Sequence, residues 1–248
     1  MSRYFIEVAY KGMGYSGFQV QENAITIQSE LEKALYVYYR EPLQLTGSSR
    51  TDAGVHALQN FLHFDTQVNI RPEHIYNLNA ILPSGIVIKA FHKVKDDAHA
   101  RFNALSREYK YYTYQSKDPF LEDRAWYYPY QLNISALQEA AHILTTYNDF
   151  TSFSKRNTQV KTFLCSLERS VWYHTDNCLV YNVKANRFLR GMVRGLVGTM
   201  LKVGKGALTI QEFKKVIEEK NCAKADFTPP AHGLFLEAVE YPAELFIP

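Results

Sequence analysis

The chain opens on an alternation. Over residues 3–10, Tyr4, Ile6 and Val8 fall on one side of an extended backbone, which predicts a strand. Residues 11–21 break the pattern with glycine and polar side chains and read as a loop. Ile27, Leu31, Ala34, Leu35 and Tyr38 then recur at helical spacing, predicting a helix over 27–39 that Pro42 ends. Residues 43–46 read as a short strand, a glycine-rich turn follows, and 56–64 is the next strand. Pro72 suits the first turn of a helix reaching residue 82. After a turn at Pro83-Ser84-Gly85, residues 86–94 form a strong strand.

The same order returns in the second half. Residues 105–115 read as a long strand, and Ser135-Ala136-Leu137-Gln138 as a capping box opening a helix through 144. Residues 163–173 and 178–184 pair as strands across a turn at 174–177, and 188–203 is helical. Thr209-Ile210-Gln211-Glu212 is a second capping box, with Leu208 and Phe213 placed as a hydrophobic staple. A closing strand spans 234–241. Two βαββαβ units predict an α+β fold of two ferredoxin-like halves, residues 1–100 and 101–248, with a linker near 96–104. The halves are expected to share a mainly antiparallel sheet with helices on one face, leaving the other free for a ligand.

Composition narrows the class. Of the 248 residues, 46% are hydrophobic and 21% charged, enough to build a real core. No apolar stretch is long enough to span a bilayer, and no charged-then-apolar leader precedes the first strand, so a cytoplasmic protein is expected. Cys165, Cys178 and Cys222 are far apart and form no CxxC pair, which argues against a disulfide framework or a zinc knuckle. His56, His63, His99 and His232 lack paired ligand spacing, so no metal is expected. A net charge of +3 permits a nucleic-acid partner without demanding one. Eighteen tyrosines and fifteen phenylalanines suit both sheet packing and stacking on unpaired bases.

The sharpest candidate chemistry lies in the loop 47–54, which holds Arg50, Asp52 and two glycines between two strands. On local composition alone a plain tight turn is the stronger account, since Asp and Gly dominate turns. Arg50 and Asp52 are nevertheless two apart, which puts both on one side of an extended backbone. A nearby opposite charge favours the charged form of a carboxylate, and a charged, positioned carboxylate can be a nucleophile. Arg187, Arg190 and Arg194 are spaced by three and four, so a helix would align them for RNA phosphate or simply as a solvated stripe. Lys155, Arg156 and Lys161 crowd one polar loop, where phosphate contact and plain solvation fit equally well.

Arg50-Thr51-Asp52-Ala53-Gly54-Val55-His56-Ala57 resembles the catalytic motif of the TruA family of tRNA pseudouridine synthases. The resemblance runs over nearly the whole chain. Tyr10 to Gln19, ending Tyr15-Ser16-Gly17-Phe18-Gln19, is similar to the family's opening loop. His99-Ala100-Arg101-Phe102 followed by Ser106-Arg107-Glu108-Tyr109-Lys110-Tyr111 is similar to its second motif. Asn148-Asp149-Phe150-Thr151-Ser152-Phe153, Ala185-Asn186-Arg187-Phe188-Leu189 with Met192-Val193-Arg194, and Gly233-Leu234-Phe235-Leu236 match in order. Two departures stand out: Ser48-Ser49 where the family has Ala-Gly, and Phe18 where it has Trp.

The resemblance implies the pseudouridine synthase fold and isomerisation of uridine to pseudouridine at positions 38, 39 and 40 of the tRNA anticodon stem-loop. It implies no cofactor, a tRNA partner and a homodimer. Asp52 matches the essential aspartate, and Tyr109 the tyrosine that lies against the target uracil. Arg194 resembles the arginine that pairs with the aspartate, and Arg50 the one that fills the space left by the flipped base. On its residues alone a plain strand aromatic is the stronger account of Tyr109. Arg101, Lys155, Arg156, Arg187 and Arg190 are the further candidates for RNA contact. Two other classes fit the chain less well. A non-catalytic RNA-binding protein predicts an RNP aromatic consensus that the chain lacks. A carboxylate-dependent hydrolase needs a second acid or a metal constellation, and no such pair is evident.

Overall fold

A computed structural model describes residues 1–156, 160–175 and 177–247. The chain divides into two compact units, Met1–Leu105 with Phe235–Pro248, and Ser106–Leu234. The halves expected from the sequence, 1–100 and 101–248, therefore differ in two respects: the boundary falls after Leu105, and the C-terminal segment belongs with the first unit. The cause of the second is strand pairing, because the closing strand bonds to a strand of the first unit.

In the first unit, β1 (Ser2–Tyr10) lies antiparallel between β3 (His56–Thr66) and β4 (Ile86–Val94). The short β2 (Thr46–Gly47) pairs antiparallel with β3 at His63 and Leu62. With α1 (Ile27–Tyr39) and α2 (Glu73–Ile81) this is the predicted βαββαβ order, strands running β4-β1-β3-β2. The predicted strand at 43–46 is correspondingly shorter and later. Further along β3, His56 and Ala57 pair in parallel with Phe235 and Leu236 of β9 (Leu234–Glu240). Helix α1 starts where predicted because Thr26 and Ser29 form a reciprocal capping box. It ends before Pro42, at Arg40, which turns left-handed (φ 60°) and returns its N–H to the Tyr36 carbonyl.

Tyr4, Ile6, Val8, Leu62, Phe64 and Ile88 are buried in the sheet, and α1 and α2 turn Ile27, Leu31, Leu35 and Leu78 inward. The opposite face was expected to stay free. In this unit it is partly covered, because Phe5 and Phe61 on that side pack edge-on against Tyr241, at 5.1 and 5.2 Å between ring centres. Phe246 closes the same aromatic cluster against Phe5.

In the second unit, β8 (Leu179–Ala185) lies antiparallel between β5 (Ser106–Tyr114) and β7 (Leu167–His174). The turn predicted at 174–177 includes residue 176, outside the described residues. A two-residue strand that periodicity did not predict, β6 (Trp126–Tyr127), pairs in parallel with the end of β5. Helix α3 (Ile134–Leu144) is capped by Asn133, whose side chain accepts from Ala136 N–H, so Ser135 is helical rather than the cap. Helix α4 (Met192–Gly204) begins four residues later than expected, because Gly191 in the left-handed region (φ 74°) interrupts the chain before it. The capping box opening α5 (Ile210–Glu218) forms as predicted between Thr209 and Glu212. Among the described residues no helix is long and apolar enough to cross a membrane.

Candidate active site

The loop between β2 and β3 is held from three directions. From below, Ser48 N–H donates to the Phe61 carbonyl (2.7 Å). From β1, the Tyr10 hydroxyl meets Thr51 Oγ1 at 2.8 Å. From the opening loop, Phe18 N–H donates to the Thr51 carbonyl (3.1 Å). Thr51 is thus turned inward and buried, whereas Arg50 before it is exposed and Asp52 after it half-buried. This is the alternation expected of an extended backbone. Val55 N–H then closes a turn onto the Asp52 carbonyl (3.1 Å), with Gly54 at φ 81°. The loop is therefore both the turn that composition suggests and a mount for two outward charged side chains. Arg50 was expected beside Asp52; its guanidinium instead reaches Gln19 Oε1 at 3.2 Å.

The opening loop touches this turn with almost no clearance. A Cβ on Gly12 would stand 2.1 Å from the Val55 carbonyl oxygen, so only glycine fits. Gly12 N–H also donates to His56 Nδ1 (3.2 Å), and the His56 ring stacks on Phe235 at 4.5 Å. Phe18 is buried against Gly47, where an added Cβ would meet its ring at 2.4 Å. The phenyl ring fills the space there without needing the larger indole. Ser48 and Ser49 also fit: among the described residues the left-handed positions other than glycine are Asn23, Arg40 and Lys220, so Ser49 carries no backbone strain.

In the second unit, Tyr109 sits on β5 with its ring edge-on to Phe188, 5.0 Å between centres. Tyr111, two residues on, is buried and donates its hydroxyl to the Pro230 carbonyl (2.8 Å). Burial pushes its phenol far up, with Arg194 nearby pulling the other way. Arg194 projects from the first turn of α4 and donates through Nε to the Pro229 carbonyl (2.6 Å) and through Nη2 to Phe227 (3.4 Å). The segment carrying Phe227 and Pro229 lies tight on α4 because Gly195 and Gly198 expose bare backbone there. Arg194 thus clamps the 227–230 segment, a role that spacing did not reveal.

The basic candidates separate. Arg187 and Arg190 precede α4, so they do not form one helix face with Arg194 as predicted. Lys155 N–H donates to the Arg190 carbonyl (3.0 Å), and the Lys155 stem lies over Gly191. These bring Lys155, Arg156 and Arg190 into one neighbourhood, of which Arg156 and Arg190 are exposed. The middle of that loop, 157–159, lies outside the described residues. Arg101 is exposed in the first unit, its guanidinium 5.8 Å from the centre of the exposed Phe102 ring. Among the described residues no three His, Cys, Asp or Glu side chains converge as a metal site. Periodicity also missed Asn60, a polar residue in the apolar register of β3, and Phe188 against Tyr109.

The α+β architecture, with an Arg-Thr-Asp turn mounted between β2 and β3, defines the pseudouridine synthase fold class. A family model described as tRNA pseudouridine synthase matches residues 6–103 and 140–242. The chain is 44% identical to tRNA pseudouridine synthase A of Parabacteroides distasonis, covering 99% of this chain and 98% of that one. It is 43% identical to the protein of that name from Porphyromonas gingivalis, over all of both chains. With the Staphylococcus aureus protein of that name it shares 37% identity over 96% of this chain and 90% of that one. The chain belongs to the tRNA pseudouridine synthase family and is a tRNA-modifying isomerase.

Proposed function

We propose that this enzyme converts uridine to pseudouridine at positions 38, 39 and 40 of the tRNA anticodon stem-loop, with Asp52 as its catalytic carboxylate. The observation that carries the reading is the Thr51 anchor, which leaves Asp52 projecting from a turn held on three sides. The reaction is an internal rearrangement. The N1–C1′ bond breaks, the uracil turns, and a C5–C1′ bond forms; the proton lost from C5 is balanced by one gained at N1. No electron acceptor is consumed, so the chain's own residues suffice. Three routes use a carboxylate here: attack on C1′, attack on C6, or removal of a sugar proton. Each needs a positioned oxygen on Asp52.

Extruding the base from its stack costs roughly a few kcal/mol. Arg50, exposed two residues before Asp52 and reaching Gln19, is suited to fill the vacated stack. Tyr109, steadied edge-on by Phe188, is suited to lie against the uracil. Arg101, Lys155, Arg156, Arg187 and Arg190 supply cations for the phosphates. A homodimer and a cytoplasmic location complete the reading. Asp52→Asn on a tRNA transcript tests it: pseudouridine formation is expected to fall by on the order of 10²–10⁴-fold. A near wild-type rate defeats the assignment. Mapping pseudouridine in tRNA from cells lacking the protein tests the three positions, and sedimentation of the free enzyme tests the dimer.

A further inference from the structure

Asn60 is polar where the pattern of β3 calls for an apolar residue. Leu62 and Phe64, next on its side of the strand, are buried hydrophobics, and Asn60 is itself shut off from solvent. A buried amide persists only when its hydrogen bonds are made. Here all four are. Oδ1 accepts from Ser48 Oγ (2.7 Å) and from Phe61 N–H (2.9 Å). Nδ2 donates to the Ser49 carbonyl (3.1 Å) and to the Tyr10 hydroxyl (3.2 Å). The Phe61 N–H can only donate, which fixes the amide's orientation. The Tyr10 hydroxyl that accepts from Nδ2 also shares a hydrogen bond with Thr51 Oγ1, 2.8 Å away.

A leucine at position 60 would fill the core equally well. What the amide adds is a grip on Ser48, Ser49 and, through Tyr10, Thr51. The network joins β1, β3 and the loop between β2 and β3 at one buried point. We infer that Asn60, acting through the Tyr10 hydroxyl, is a positioning residue that holds Thr51 and thereby sets where the Asp52 carboxylate stands. This rests on the reading of Asp52 as the catalytic carboxylate.

Near-isosteric variants test it. Tyr10→Phe removes one hydroxyl and Thr51→Val removes its partner, while Thr51→Ser keeps the bond. Under single-turnover conditions at saturating tRNA, Tyr10→Phe and Thr51→Val are each expected to slow pseudouridine formation by about 10- to 100-fold, the scale of a displacement of about 1 Å. Their tRNA Kd should stay within about twofold, since no phosphate contact is touched. The double variant should be no slower than the slower single one, because both break the same link. Thr51→Ser should recover to within about threefold of wild type on the same scale. Additive losses overturn the inference, as does a loss confined to melting temperature or tRNA Kd. If Tyr10→Phe does not fold, the contrast between Thr51→Val and Thr51→Ser decides alone. Asp52→Asn is assayed alongside. If it is inactive while Tyr10→Phe stays within about twofold of wild type, the positioning inference falls alone. If Asp52→Asn is active, the reading beneath it falls.

Discussion

Replacing Gly12 by alanine should damage stability and chemistry together. The added Cβ would stand 2.1 Å from the Val55 carbonyl oxygen, 2.6 Å from its carbon and 2.8 Å from its nitrogen. Reaching an ordinary contact of 3.4 Å requires about 1.3 Å of movement between two backbone segments. Backbone cannot swing aside as a long side chain can, so the strain is that of overpacking, about 1–3 kcal/mol. The Gly12 N–H bond to His56 Nδ1 is stretched or lost as well, adding roughly 1 kcal/mol. For a chain of this size the sum, about 2–4 kcal/mol, lowers the melting midpoint by roughly 4–16 °C. Val55 is three residues beyond Asp52 and bonded to its carbonyl, so the same movement displaces the carboxylate. A shift of about 1 Å at a reacting group costs up to about 100-fold in rate. Calorimetry and a single-turnover pseudouridine assay read the two effects. A midpoint within about 1 °C of wild type together with an unchanged rate would refute the close approach of these loops.

Other outcomes follow from the same geometry. Arg194→Met should lower the melting midpoint as well as the rate, because it frees the Phe227 and Pro229 carbonyls, and Arg194→Lys should not restore both donors; full stability in Arg194→Met would remove the clamp from the account. Burial lowers the His63 pKa to about 4, with His99 and Arg3 acting in the same direction and Asp65 against it, and Ala100 N–H donates to its Nδ1. The fold thus holds His63 neutral while the unfolded chain takes up a proton near pH 6.5, so its contribution is present above that pH and drains away as pH falls toward 4. Between pH 7 and 5 the loss is about 2 kcal/mol, and urea titrations should show it shrink in His63→Gln; an equal loss in the variant would refute the assignment. Ser48→Ala should cost about 1 kcal/mol by removing one of the two donors to Asn60 Oδ1, read as a drop in urea midpoint at unchanged slope.

Local pattern was a good guide wherever one strong local signal decided an element. Helix α1 and strand β4 have the predicted bounds, since a capping box starts the one and a run of apolar and β-branched residues carries the other. Boundaries slipped where a backbone conformation decided. Gly191, in the left-handed region, delays α4 past residues that look helical. The displaced start of α4 has a functional cost for the reading, since it takes Arg187 and Arg190 off the helix that carries Arg194. The place of β9 was hidden because its pairing with β3 spans most of the chain, and no local pattern encodes so distant a partner.

The Arg50-Thr51-Asp52 triplet shows what physical reading adds to resemblance. Resemblance points to the charged residues. The structure explains why the residue between them is threonine. Its hydroxyl meets the buried network at Tyr10, and its carbonyl takes the Phe18 N–H. Valine has the same shape and lacks the bond; serine has the bond and lacks one methyl group. If the turn were held by its glycine alone, the two substitutions would behave alike in the rate assay. If it is held by the Tyr10–Thr51 bond, serine works and valine does not. That contrast separates a turn that merely contains an aspartate from a mount built to aim one.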